Sequence, residues 1–313
     1  MSVRAVIADP SAPNGLRLAA IDEPVPGPGQ VLVEAHHVAL NRGDLNDAPS
    51  GRVPAGEVLG SDVAGLVVRA ADTGDGPAVG ARVVALARGA FAKRVVVDVD
   101  ALAEVPDGVD LAEAAALPVA GLAAVQALRA GMLETPVKGS RVLITGASGG
   151  VGRFAVQVAS YGGAHVIAVV GNPDRAGELV ELGADQVVTH PRQVDEAVDL
   201  VLDTVGGPQL VAAWELLAPG GNVQCIGWSS GEPAVFPPYA TVGPAKSLSS
   251  FLITPPVGPD LAWLVQLVAQ GNLRVPIAWR GPLNRIADAA EAMLNRQVPG
   301  KAVLDLVTRR RTP

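Results

Sequence analysis

Up to about residue 114 the apolar positions come in short runs of β type broken by Pro and Gly: Arg4–Ala8, Gln30–Ala39, Gly65–Arg69, Arg82–Ala87 and Lys93–Val97. Pro24, Pro26, Pro28 and Gly29 form a turn-rich connector before the second run. Short strands punctuated in this way predict a small, mostly antiparallel, barrel-like domain. Beyond it the period changes. Val142–Thr145 is wholly apolar and leads through glycines into a helical stretch, Gly150–Tyr161. Strand-like runs at Val166–Val170, Gln186–Thr189, Asp199–Asp203, Asn222–Ile226 and Ser249–Ile253 then alternate with helical ones at Arg175–Leu182 and Leu210–Leu217. Apolar strands alternating with helices predict a doubly wound parallel sheet covered on both faces. From about residue 257 the pattern predicts helices over Asp260–Ala269 and Ile286–Leu294 and a closing strand over Lys301–Val307. That tail is expected to rejoin the first domain, so that 1–114 and 257–313 form one domain and 115–256 an inserted one.

The length of 313 residues agrees with two domains. No uncharged apolar run reaches the roughly 18 residues of a membrane span. Leu111–Leu128 comes nearest, and Glu113, Pro118 and Gly121 interrupt it. The first residues, Met1–Val6, lack the apolar core of a secretory signal, and a cytoplasmic, soluble protein is expected. A net charge of −7 argues against nucleic acid as a partner, and the terminal Arg309-Arg310-Arg311 run reads as a solvated tail. The single cysteine, Cys225, rules out an intramolecular disulfide and a cysteine-based metal cluster, and it reads as core. Aromatic residues are few, so Trp228, Trp279 and Phe91 are the candidate walls of a substrate pocket. Tyr161 reads as packing, and Tyr239 as either a loop residue or a donor.

The strongest chemical signal is Val142-Leu143-Ile144-Thr145-Gly146-Ala147-Ser148-Gly149-Gly150-Val151-Gly152, which follows a strand and opens a helix. In the G-x-G-x-x-G frame Ala147, Gly149 and Gly152 fill the three positions, with alanine for the first glycine. Gly149 lets backbone approach a pyrophosphate, Gly152 lets the helix pack close to the strand, and the helix N-terminus favours the phosphate charge. An NAD-binding unit usually places an acid at the end of the second strand. Here Val166–Val170 runs into Gly171-Asn172-Pro173-Asp174-Arg175 with no acid at its tip. Asn172 and Arg175 suit a 2′-phosphate, which selects NADP(H), because a guanidinium matches phosphate geometry. Two other readings stay open: Asp174 caps the next helix beside an exposed Arg175, or it reaches the ribose. His190, ending the third strand, is either a surface residue or a contact to the adenosine half.

An ordered series of segments carries a resemblance over nearly the whole chain. These are Asn41-Arg42-Gly43-Asp44, Leu59–Gly65, Ala114–Pro118, Ala147–Gly152, Leu182–Asp185, Asp199–Gly207 and Pro299-Gly300-Lys301. Together they resemble the zinc-independent medium-chain dehydrogenase/reductases, specifically the quinone oxidoreductases and related enoyl reductases. The resemblance implies a GroES-like catalytic domain with an inserted Rossmann domain. It further implies that Asn41 lies near the nicotinamide and that Gly150 and Val151 belong to the pyrophosphate turn. Gly171, Asn172 and Arg175 would border the 2′-phosphate, and His190 stands where relatives often have tyrosine. Gly227, Trp228 and Ser229 match a loop beside the nicotinamide, Phe251–Ile253 a strand that passes it, and Lys301 a late cofactor contact. A homodimer pairing its Rossmann edge strands over Ser249–Ile253 is implied as well.

The departures bear on chemistry. Zinc-dependent relatives carry a cysteine just before the position of Asp44 and Gly-His-Glu where this chain has Gly60-Ser61-Asp62. No set of Cys and His here makes a tetrahedral zinc site with the usual ligands, so no metal is expected. Relatives also often have a tyrosine after the Asn41 segment, whereas Asp47-Ala48-Pro49-Ser50-Gly51 has none. The expected reaction is hydride donation from NADPH to a quinone or an α,β-unsaturated carbonyl. Asn41 is a candidate orienter, and Asp44 either a proton relay or a structural turn carboxylate. Two alternatives stand beside it: an enoyl reductase of a biosynthetic pathway, and a non-catalytic NADPH-binding sensor or partner protein.

Overall fold

The computed structural model describes residues 2–132 and 137–306, without the side chains of 47–49. The arginine run at 309–311 and Val307 lie outside the described residues. The chain divides into two compact units, the first comprising the residues up to Leu122 and from Pro255 onward, the second Ala123–Thr254.

The first unit opens on a hairpin of β1 (Ser2–Ala8) and β2 (Leu16–Asp22), paired antiparallel. There follow β3 (Gln30–Leu40), α1 (Arg42–Ser50), β4 (Asp62–Arg69), β5 (Arg82–Leu86), β6 (Arg94–Asp98), β7 (Leu102–Glu104), α2 (Leu111–Ala115) and the start of α3 (Pro118–Gly131). β3 is the spine of the sheet. One edge takes β4, and the other takes β6 along Gln30–Glu34 and the chain's last strand along His37–Leu40. Its inward valines and Leu40 join Val63, Val83 and Phe91 in one apolar core. Phe91, a candidate pocket wall from the sequence, is fully buried in that core.

The second unit holds β8 (Arg141–Thr145), α4 (Gly150–Tyr161), β9 (His165–Val169), α5 (Ala176–Glu181), β10 (Gln186–Val188), β11 (Val198–Asp203), α6 (Gly207–Glu215), β12 (Leu217–Cys225) and β13 (Ser247–Ser250). Its six strands run in the order β10-β9-β8-β11-β12-β13, every pair parallel. This is the doubly wound order of a dinucleotide-binding sheet, which reverses between β8 and β11. Leu143, Ile144, Ile167, Leu200 and Leu202 are all buried, which is why these strands read as unbroken apolar runs.

The described residues end with α7 (Gly258–Ala269), β14 (Ile277–Pro282), α8 (Ile286–Leu294) and β15 (Lys301–Asp305). β15 pairs antiparallel with β3, Ala302 opposite Leu40, and parallel with β14. No helix among the described residues is long and apolar enough to cross a membrane.

Several sequence expectations need correction. The expected strand Ser249–Ile253 is β13, which stops at Ser250 because its partner β12 ends at Cys225, the last paired position. Phe251 and Ile253 therefore lie beyond the ladder. Leu217 opens β12 instead of closing α6. Helix α1 gave no apolar stripe to detect, and β14 carries Gly and Pro. Tyr161, read from the sequence as packing, is 54% exposed.

Candidate functional site

Two groups of residues, one in each unit, carry chemistry. In the second unit β8 runs into α4 through Gly146, whose φ of +61° makes the tight turn. Ala147, which fills the first position of the frame, follows it directly; it is buried and its N–H donates to Val169 O at 3.0 Å. At Gly152 a Cβ would fall 2.4 Å from Gly146 O and 2.6 Å from Ala147 Cα, so no side chain fits between helix and turn. Gly149 is the N-cap of α4 and supplies no side-chain cap, so the first N–H groups of the helix are left for an outside acceptor, a fit for pyrophosphate.

Beside this turn stand two arginines. Arg175 Nη1 donates to Ser148 Oγ at 3.4 Å, and Arg153 Nε to Ser148 O at 3.2 Å. Arg153, which sequence reasoning passed over, is buried and paired with Glu178 of α5; a lone charge in the apolar stretch Gly150–Tyr161 was its only signal. At the end of β9 the cap is made by Asn172, whose Oδ1 accepts from Asp174 N–H at 3.0 Å, so Asp174 does not itself cap the helix. A cavity of about 300 Å³ lies alongside, lined by Val170, Pro173, Ala176, Val187, Val188, Thr189 and Gln193, where the carboxyl ends of β9 and β10 leave room for a planar base. His190 is half-buried nearby, its Nδ1 accepting from Arg192 N–H at 3.2 Å.

Where the strand order reverses, Asp203 ends β11 fully buried. Its carboxylate accepts from Thr145 Oγ1 at 2.5 Å and from Gly206 N–H at 2.8 Å. Burial pushes its pKa above the ordinary carboxylate value, against the pull of those donors. The loop after β12 folds back on this corner. Gly227 N–H donates to Asp203 O, Ser229 N–H to Thr204 O, and the Trp228 indole covers Gly206 while remaining 48% exposed. Cys225 is half-buried, and burial raises its thiol pKa to about 11, well away from thiolate reactivity.

In the first unit a polar cluster lies where β3, β4, β15 and the first turn of α1 meet. Lys301 and Asp62 are buried, with Nζ 2.9 Å from Oδ2. Asn41 bridges them: its Nδ2 donates to Asp62 Oδ2 at 2.9 Å and its Oδ1 accepts from Lys301 Nζ at 2.5 Å. The other oxygen of Asp62 accepts from Val119 N–H, at the start of α3. Asp44 takes the Asn41 N–H at 2.7 Å and the Ser61 hydroxyl at 3.3 Å. Burial first, and the Asp62 charge second, raise the Asp44 pKa to about 7. Asn41, Asp44 and Lys301 thus come together around Asp62, a residue the sequence reading had not selected. The sequence showed only that Asp62 and Lys301 each open an apolar strand, where a buried charge needs a partner; it did not show that they are each other's partner. No group of three or more His, Cys, Asp and Glu able to hold a metal ion occurs among the described residues.

Residues 27–107 match the family model of the alcohol dehydrogenase GroES-like domain, and residues 182–304 that of the zinc-binding dehydrogenases. A chloroplast envelope quinone oxidoreductase homologue of Arabidopsis thaliana is 30% identical over 316 residues, covering 93% of this chain and 94% of that protein. The chain belongs to the medium-chain dehydrogenase/reductases, in their quinone oxidoreductase-like branch. A mycocerosic acid synthase-like polyketide synthase of Mycolicibacterium smegmatis is also 30% identical, over 97% of this chain, which spans only 15% of that protein's length. Among solved structures, an NAD-dependent alcohol dehydrogenase superimposes with a TM-score of 0.88 at 27% identity, covering 97% of this chain and 100% of that one. A mycobacterial protein solved with NADPH gives a TM-score of 0.85 at 26% identity, covering 96% and 99%. This member of the family is therefore an oxidoreductase with a GroES-like domain and a Rossmann-type parallel sheet.

Proposed function

We propose that this oxidoreductase is NADPH-dependent, works without zinc, and reduces a quinone or an α,β-unsaturated carbonyl. The observation that carries the reading is Arg175 hydrogen-bonded to Ser148 of the phosphate turn, at a strand end that carries no acid. Gly149, Gly150, Val151 and Gly152 would hold the pyrophosphate, and Gly171, Asn172 and Arg175 the 2′-phosphate. His190 would border the adenosine half, and Gly227, Trp228, Ser229, Phe251 and Ile253 the nicotinamide half. When bound, NADPH supplies the hydride. Asp44, with a pKa near neutral, holds a proton at its carboxyl and passes it through the Ser61 hydroxyl to the reduced acceptor. Asn41 orients the reacting groups, and the Asp62–Lys301 pair holds Asn41 in turn.

The zinc-free reading rests on Gly43 and Ser61 at the positions where zinc relatives carry ligands, and on Asp62 being already neutralised by the Lys301 ammonium. The likeness to a quinone oxidoreductase homologue supports the acceptor class, and the neighbour solved with NADPH supports the cofactor. A second reading, an enoyl reductase of a biosynthetic pathway, is favoured by the likeness of almost the whole chain to one segment of polyketide synthases. The test is cofactor oxidation, followed by nicotinamide absorbance, with quinones, 2-alkenals and enoyl thioesters. Fast turnover of quinones or alkenals with NADPH supports the first reading, and of thioesters alone the second. A preference for NADH overturns the cofactor assignment.

A further inference from the structure

Arg153 follows Gly152 directly on α4, and its side chain is only 8% exposed. An arginine so buried needs partners for its fork of donors, and here they belong to two other segments. Nε donates to the main-chain carbonyl of Ser148, in the phosphate turn. Nη2 pairs with Glu178, on α5, three residues beyond Arg175. Arg175 in turn donates to the hydroxyl of the same Ser148. One buried guanidinium thus ties the phosphate turn to the segment that carries Arg175, and Ser148 is gripped from both sides. The Arg153 carbonyl accepts from Gln157 Nε2 at 3.0 Å, which fixes this stretch of the helix further.

We propose that Arg153 and Glu178 are positioning residues for cofactor choice: they hold Arg175 against Ser148, where its guanidinium receives the 2′-phosphate. The inference rests on the NADPH reading and adds the mechanism of its selectivity. Arg153 does not act as a phosphate ligand itself, because its charge is already met by Glu178. A lysine would not serve in its place, since a single ammonium cannot reach a carbonyl and a carboxylate on two segments with a fixed angle between them.

The two roles differ in sign, and Glu178→Gln reads that sign. Its side chain is 61% exposed, so the variant is expected to fold. If Arg153 were a ligand, removing the neighbouring negative charge would tighten NADPH. If it positions Arg175, losing the tie to α5 weakens NADPH roughly three- to tenfold and leaves NADH unchanged. The measurement is the dissociation constant of each cofactor by reduced-nicotinamide fluorescence, on the full chain, for wild type, Glu178→Gln, Arg153→Met, Arg175→Ala and the double variant Glu178→Gln/Arg175→Ala. Once Arg175 is gone, Glu178→Gln is expected to have no further effect on NADPH. Tighter NADPH binding in Glu178→Gln, equal losses for both cofactors, or full additivity in the double variant would each overturn the proposal. A wild-type preference for NADH would instead remove the reading beneath it, and the inference with it.

Discussion

Asp62 shows how much one buried side chain can hold. It receives Lys301, Asn41 and the Val119 N–H at its two oxygens, and its charged partner Lys301 is buried with it. Breaking a buried pair from one side leaves an uncompensated charge. Asp62→Asn is therefore expected to cost about 3 kcal/mol or more of stability, read from the denaturant midpoint. Asp44 sets a different dependence. Its pKa of about 7 in the folded chain stands above the ordinary carboxylate value of 3.8, so the folded state holds a proton that the unfolded state has lost between those values. Stability from this group is present below about pH 4 and is lost as pH rises through about 7. Asp44→Asn should flatten that decline, seen by comparing unfolding midpoints of both proteins at acid and alkaline ends. With Asp44 as the proton donor, kcat/KM of the wild type should likewise fall through the same range. The Lys301 ammonium and the Asp62 carboxylate are the charged groups that face it.

The β8–α4 junction is decided as an element. Two backbone positions, Gly146 and Gly152, allow the helix to start immediately against the strand, leaving uncapped N–H groups where we propose the pyrophosphate binds. Gly152→Ala would drive a Cβ into main-chain atoms 2.4 and 2.6 Å away, neither of which can rotate aside. The helix must shift, and NADPH affinity in the same fluorescence titration is expected to drop by tenfold or more, on the order of 1.4 kcal/mol. Unchanged affinity would remove the turn from the cofactor site. This junction was legible from sequence because its signal is local: an apolar strand, glycines, then a helix. Helix α1 was not, since Arg42–Ser50 has a mostly polar sequence and is held by Asn41 and Asp44 at its first turn.

For the whole molecule, β13 forms one edge of the six-stranded sheet, with Leu248 and Leu252 exposed beside it. Such an edge invites a further strand, and the homodimer that the resemblance implies would place a second copy's β13 there. Light scattering is expected to give twice the chain mass, and Ser249→Pro, which removes a ladder donor, to give the monomer; a monomeric wild type would sink the dimer. The sequence by itself determined the order of apolar strands and helices, the inserted parallel-sheet unit, the glycine turn between β8 and α4 and the likeness to this family, because these depend on neighbours within a few residues. Tertiary structure alone decided where charges meet. Asp62 and Lys301 are 239 positions apart and touch because β15 and β4 both pair with β3. Arg153 and Glu178, 25 apart, meet because α4 and α5 flank adjacent strands. Pairings of that kind follow from strand order and packing, and no local pattern encodes them.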